Sequence, residues 1–238
     1  LYPFSRAGNL NHTEHAAYAQ EIRRLQKKYA DRISIHLGFE ADYIPGFCAP
    51  RFANYADFAP DFLIGSVHFV YDKNTLYAVD DTPQILLDAV RTVYNGDAKK
   101  AVCAYFAAER DMLSCGDFTI LGHADLIRKF NGKLRLFDEA AKWYQREVQA
   151  TAQAIARAGV IAEINTGAIS RGHMSDPYPS DYFLSLLHER NVPVMINSDA
   201  HAQDALDCAF DEARARAKKA GYTELAYLAN GSVQFCGV

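Results

Sequence analysis

Four separate hydrophobic runs in this chain each lead into a carboxylate or an imidazole. Ile33-Ser34-Ile35-His36-Leu37-Gly38-Phe39 runs into Glu40, and Phe62-Leu63-Ile64-Gly65-Ser66-Val67 into His68. Phe118-Thr119-Ile120-Leu121-Gly122 is followed by His123, and Val194-Met195-Ile196-Asn197-Ser198 by Asp199 and His201. Apolar runs without alternation read as strands buried on both faces, the kind found in a parallel sheet covered by helices. The loops after the carboxyl ends of such strands converge on one face, where an α/β barrel collects its chemistry. A core needs no Glu, His or Asp there, and burying them unpaired costs several kcal/mol. Coordination of a divalent metal is the simplest compensation.

Helix-like segments alternate with these runs. Ala16 to Ala30 carries apolar residues at helical spacing and ends in a basic turn, as a helix C-terminus prefers. Further helices are expected near 83–95, opened by Thr82-Pro83, and near 97–113, 137–157, 180–190 and 204–219. Strands are expected at 33–39, 61–67, 118–122, 159–165 and 193–197, with a short last run from Leu225 to Leu228. The alternation predicts an α/β architecture. No Pro/Gly/Ser-rich linker or charge block divides the 238 residues, so residues 1–238 read as a single domain, a length that suits one barrel of roughly 250 residues.

Composition excludes several classes. A net charge of -4 argues against a general nucleic-acid binder, though not against a small anionic substrate. No apolar run approaches the roughly 18 residues of a membrane span. The five cysteines are scattered and odd in number, which argues against a disulfide framework and for a reducing cytoplasm; Cys48, near a site loop, reads as a small packing residue. Neither a G-x-G-x-x-G nor a G-x-x-x-x-G-K-S/T nor a G-x-S-x-G motif is present, which lowers nucleotide-cofactor and serine-hydrolase readings.

Each candidate has a bland counterpart. Glu40 alone would be a solvent-exposed or capping residue, and His68 or His123 alone a satisfied core histidine. Their equivalent places at strand ends favour ligation, since a neutral imidazole nitrogen binds metal at about 2.0–2.1 Å and a carboxylate can bridge two cations. Asp199 and His201 form the strongest local signal, because alternate residues of an extended chain share a face. Arg171 follows another strand end and Arg128 lies five residues past His123 in the βα loop; guanidinium groups suit phosphate there, and the bland counterpart of each is a surface arginine. His12 and His15 stand before a helix rather than after a strand and read as exposed helix-start residues, with Asn11 or Thr13 as the cap. His36, His173 and His188 read as structural or surface residues.

Taken together, G-F-E-A-D-Y-I-P-G, I-G-S-V-H-F-V, L-G-H-A-D-L-I-R-K-F, E-I-N-T-G and N-S-D-A-H resemble the polymerase and histidinol phosphatase (PHP) superfamily, in its monofunctional histidinol-phosphatase branch. The resemblance spans essentially the whole chain. It implies a distorted seven-stranded (β/α)7 barrel with up to three divalent metal ions (zinc, iron or manganese) at its mouth. It also implies hydrolysis of L-histidinol phosphate to L-histidinol and phosphate, a step of histidine biosynthesis. On this resemblance Glu40 bridges two metals, His68 and His123 complete one site, Asp199 contributes to the other and His201 helps hold the third. Arg128 and Arg171 then grip the substrate phosphate. The family also opens with an H-x-H strand and a second strand ending in T-D-H or T-E-H. Thr13-Glu14-His15 matches the second motif in letters but runs straight into a helix, and Leu1 is not a methionine. The expectation is therefore a chain that lacks its first barrel strands, two βα units of on the order of 40–60 residues. Its sheet edges would then need cover, for which a homo-oligomer is one solution.

Phosphate monoesters hydrolyse very slowly without catalysis, and a metal cluster would supply the barrier reduction through activated water. Tyr43, Phe47, Phe69 and Tyr178 are candidates for an imidazole wall, and Asp42 or Asp176 for a contact with the substrate ammonium. The rivals are a PHP phosphoesterase acting on nucleotides or another small phosphate ester, and a non-catalytic barrel lacking part of the metal site.

Overall fold

The computed structural model describes residues 12–229 and 231–238, with side chains from residue 14. In chain order, α1 (His12–Lys28), β1 (Gly38–Asp42), β2 (Phe62–Ser66), β3 (Phe69–Asp72), β4 (Thr75–Ala78), α2 (Pro83–Val93) and α3 (Ala98–Cys115) form the first half. The second half comprises β5 (Ile120–Leu121), the short α4 (Asn131–Leu134), α5 (Lys142–Ala158), β6 (Ile161–Asn165), the single turn α6 (Gly167–Ser170), α7 (Asp181–Glu189), β7 (Val194–Asn197), α8 (Phe210–Ala220), β8 (Glu224–Ala229) and β9 (Ser232–Gly237). Local chemistry sets several boundaries. Thr82 accepts a hydrogen bond from the Ile85 N–H with Pro83 in the first turn of α2, Ser180 caps α7, and Gly159 ends α5 in the left-handed conformation at φ 70°.

Five strands form one parallel sheet in the order β1-β2-β5-β6-β7, so their carboxyl ends share one side. Alternation sorts each strand between two faces. Phe39, Leu63, Leu121, Ala162, Ile164 and Val194 point outward and join the main core with α2, α3, α5, α7 and α8. Ile120, Ile161 and Met195, with Phe62 and Ile64 beside them, point inward and pack against Ala226, Leu228 and Val233 of the β8–β9 hairpin. Burying each such large apolar side chain stabilises the fold by about 1.5–3 kcal/mol. The inner face is therefore apolar at its lower end and becomes polar toward the carboxyl ends, where Glu40, Ser66, Glu163, Asn165 and Asn197 lie.

The structure shifts some expected elements. The strand expected at 33–39 pairs instead at Gly38–Asp42, in register with Phe62–Ser66, and Ile33 is left 61% exposed. The helix expected from 137 begins at Lys142, and the one expected from 204 begins at Phe210 after a short 3-10 turn. Two antiparallel hairpins, β3–β4 and β8–β9, were not expected as pairs. Backbone pairing among the described residues joins five parallel strands, without closing the seven-stranded ring. No helix among them is long and apolar enough to cross a membrane.

Candidate metal centre

Three strand ends meet at Glu40. Its Oε1 lies 3.4 Å from His68 Nε2 and 3.1 Å from His123 Nε2, and it accepts a 2.7 Å hydrogen bond from Ser66 Oγ. Two ligand atoms bound at about 2.0–2.1 Å to one tetrahedral cation stand about 3.3 Å apart, so these separations match a shared ion. The three ligand atoms all lie within 4.8 Å of one another. His68 Nδ1 is hydrogen-bonded to Asp42 Oδ1 at 2.5 Å, which leaves Nε2 directed at Glu40, the usual carboxylate support of a ligating histidine. His123 is nearly fully buried, and its Nδ1 has no hydrogen-bond partner among the described residues.

The electrostatics suit a divalent cation. Burial alone would raise the Glu40 carboxyl, yet His68 and His123 hold it well below the ordinary range. Burial disfavours the charged form of His68, but Asp42 and Glu40 push it up to about 10. His123 is raised too, against burial, by its hydrogen bond with Glu40. A divalent ion in the same place would compete with the protons that these shifts favour, so its binding would be linked to their release.

Asp199 and His201 occupy the β7 side of the same mouth. Glu40 and Asp199 both line one cavity of about 460 Å³, floored by Phe62, Ile120 and Met195. Asp199 does not join the Glu40 group. Its Oδ2 and its carbonyl oxygen each accept a 2.8 Å hydrogen bond from Arg171. His201 Nε2 lies 3.4 Å from Asp199 Oδ1, with its side chain 73% exposed. His123 and Asp199 both have left-handed backbones, at φ 23° and 47°. For residues with a Cβ this costs about 1–2 kcal/mol each, a strain that concentrates at functional sites.

Arg128, expected at the phosphate, is buried and held by Glu139 at 2.7 Å, Asp176 at 2.9 Å and Asp125 at 3.5 Å. Asp42 and Asp176 are accordingly engaged by His68 and Arg128. Among the aromatic candidates, the Tyr178 ring lies 6.2 Å from that of His123, Tyr43 turns to Asp111, and Phe69 is buried with Ile44 and Ala78. Phe47 is exposed against Tyr71. His15 is half-buried among Phe39, Tyr55 and Phe58 rather than fully exposed, whereas the side chain of His12 lies outside the described residues. His36 lines the cavity, while His173 and His188 pack against Phe130 and Tyr222.

One buried group was missed from the sequence. Glu163, on the inner face of β6, accepts hydrogen bonds from the His123 N–H, Asn165 Nδ2 and Asn197 Nδ2, each at 2.7 Å. Its signal was the E-x-N spacing of Glu163 and Asn165, which puts both on one face of a strand.

The PHP domain model matches residues 7–167. This chain belongs to the PHP family. Within it, the chain is 27% identical over 220 residues to the "Probable histidinol-phosphatase" of Schizosaccharomyces pombe, covering 90% of this chain and 69% of the relative. It is 25% identical over 204 residues to the histidinol-phosphatase of Bacillus subtilis, covering 82% and 73%. The crystal structure of histidinol phosphate phosphatase from Lactococcus lactis, complexed with zinc, L-histidinol and phosphate, shares the fold with a TM-score of 0.65 at 23% identity, over 95% of this chain and 80% of that one. A structure from Listeria monocytogenes gives 0.75 at 18% identity, over 86% and 77%.

Proposed function

We propose that this chain is a metal-dependent phosphatase that hydrolyses L-histidinol phosphate to L-histidinol and phosphate, a step of histidine biosynthesis. The observation that carries this reading is the convergence of Glu40, His68 and His123 at ligand spacing, in a PHP chain whose relatives bear that name. Glu40, His68 and His123 would hold one cation, with Asp199 and His201 across the cavity serving further ones, up to three in a complete site. Their nitrogen and oxygen donors suit zinc, iron or manganese. When bound, such ions neutralise phosphoryl charge and lower the pKa of water.

The chain's own residues do the rest. Asp42 fixes the tautomer and angle of His68, and Ser66 holds Glu40. Arg171, partly exposed beside Asp199, is assigned to the substrate phosphate, for which paired guanidinium donors are suited. Arg128 is assigned to holding the loop after β5, because its Nε and Nη2 already donate to Glu139 and Asp176 and Asp125 lies 3.5 Å from its Nη1. The cavity's apolar floor supplies surface for an imidazole. Five unpaired cysteines support a cytoplasmic setting.

The test is phosphate release by the metal-loaded protein from L-histidinol phosphate and from nucleoside monophosphates. We expect kcat/KM to favour L-histidinol phosphate by at least about a hundredfold, on the order of 3 kcal/mol. A preferred nucleotide would replace the substrate assignment, and stoichiometric metal without turnover of any ester would replace the enzyme with a binding protein.

A further inference from the structure

Both strained ligand candidates are gripped from the same stretch of chain. β6 and α6 supply Glu163, whose Oε1 accepts the His123 N–H at 2.7 Å, and Arg171, whose guanidinium donates to the Asp199 carbonyl at 2.8 Å. Asn165 links the two, donating to Glu163 Oε1 at 2.7 Å while its Oδ1 accepts the Gly167 N–H. The other oxygen of Glu163 accepts from Asn197, two residues before Asp199. Glu163 is thus tied at once to β5's end and to β7's end, and it is only 3% exposed.

The backbone is built around this grip. A Cβ on Gly122 would stand 2.3 Å from Ser66 Oγ, and one on Gly167 would stand 2.6 Å from the Arg171 guanidinium and 2.7 Å from Asp199 Oδ2. Glycine at these two places lets the end of β5 close on β2 and the end of β6 close on β7. Without an acceptor for its N–H, the His123 backbone at φ 23° has little reason to stay left-handed.

We propose that Glu163 is a positioning residue, which fixes the His123 backbone and the Asn197 end of β7 through one bidentate acceptor and so sets the angle at which His123 meets Glu40. It is not itself assigned as a metal ligand. The effect is geometric, depending on an acceptor of the right reach rather than on a negative charge. This inference rests on reading the rim as a metal site, but its first measurement does not.

Three variants separate reach from charge. Glu163→Gln keeps the reach and, with Asn197 turned over, all three hydrogen bonds. Glu163→Asp keeps the charge but is one methylene short, and Glu163→Leu keeps neither. Hydrogen exchange at the His123 amide is read first, in metal-free protein, and zinc affinity second, by calorimetry. Glu163→Gln should leave both within about threefold of the parent, and Glu163→Asp and Glu163→Leu should speed His123 exchange and weaken zinc binding by about tenfold or more, the usual effect of losing an outer support. If Glu163→Leu does not fold, the Gln and Asp pair decides alone. Parental exchange and affinity in Glu163→Asp, or loss of both in Glu163→Gln, overturns the proposal. Exchange that responds as expected while no form binds zinc leaves the positioning intact and removes the metal reading instead.

Discussion

The two sides of the mouth carry similar residues in different electrical states. On the β1, β2 and β5 side, Glu40 faces two imidazoles and a serine hydroxyl, with protons as the only positive charge in the group. On the β7 side, Asp199 already faces the permanent cation of Arg171, and His201 stands out in solvent. A divalent ion can displace protons from the imidazoles at the first place, whereas at the second it must share Asp199 with a guanidinium that keeps its charge. Adjacency in sequence therefore counted for less than convergence in space. The D-x-H pair is two residues apart and makes the looser arrangement, and the tighter one joins residues up to 83 apart.

The largest effect that sharpens this contrast is expected for His68→Ala and His123→Ala. Either should remove the ion held with Glu40 and lower phosphatase activity by at least about a hundredfold, while Asp199→Asn and His201→Ala leave that first ion in place. Elemental analysis of the four variants checks this, and equal metal loss from both sides would abolish the distinction.

Arg171→Ala should come next. If Arg171 receives the substrate phosphate, kcat/KM falls by roughly 2–4 kcal/mol and free phosphate inhibits less, with the ion at Glu40 retained. Unchanged kinetics would confine Arg171 to its bond with Asp199. Asp42→Asn should weaken the first ion by about 10–100-fold without touching the β7 side, since it removes only the support behind His68. Titration with zinc in a competing chelator measures it, and parental affinity would mean that packing alone holds His68 well enough.

The smallest expected effect is on the stability of the metal-free protein. His68 is raised from its ordinary 6.5 to about 10 in the fold, so its contribution is complete below about pH 6.5 and is lost as pH rises toward about 10. The urea midpoint of metal-free protein should fall between pH 7 and pH 9.5, and His68→Gln should flatten that slope. The same slope in both proteins would place the titrating group elsewhere.

Much of this was local and hence legible. Apolar runs at 62–66 and 161–165 became strands because residues buried on both faces need no alternation, and Thr82-Pro83 started a helix through a cap that lies within four residues. The candidates Glu40, His68, His123, Asp199 and His201 were readable because a parallel strand places whatever follows it on the same side of the sheet. Other features were decided between segments. The first strand settled on Gly38–Asp42 because pairing with Phe62–Ser66 set its register, and no property of Ile33 or Ile35 encodes a partner. The β3–β4 turn carries Lys73 and Asn74 at positive φ without a glycine to announce it, although Asn230-Gly231 between β8 and β9 is a usable hairpin signal. Arg128 and Arg171 were both candidates for phosphate, yet Asp125 and Glu139 nearby and Asp176 from a distant loop surround one while the other stays beside Asp199. Strand period and helix caps act over a few residues, so the residue types that reach the mouth could be read along the chain. Which of them meet was settled by packing, because hydrogen bonds and charges act over a few ångströms and the chain must close distances of tens of residues to bring them there.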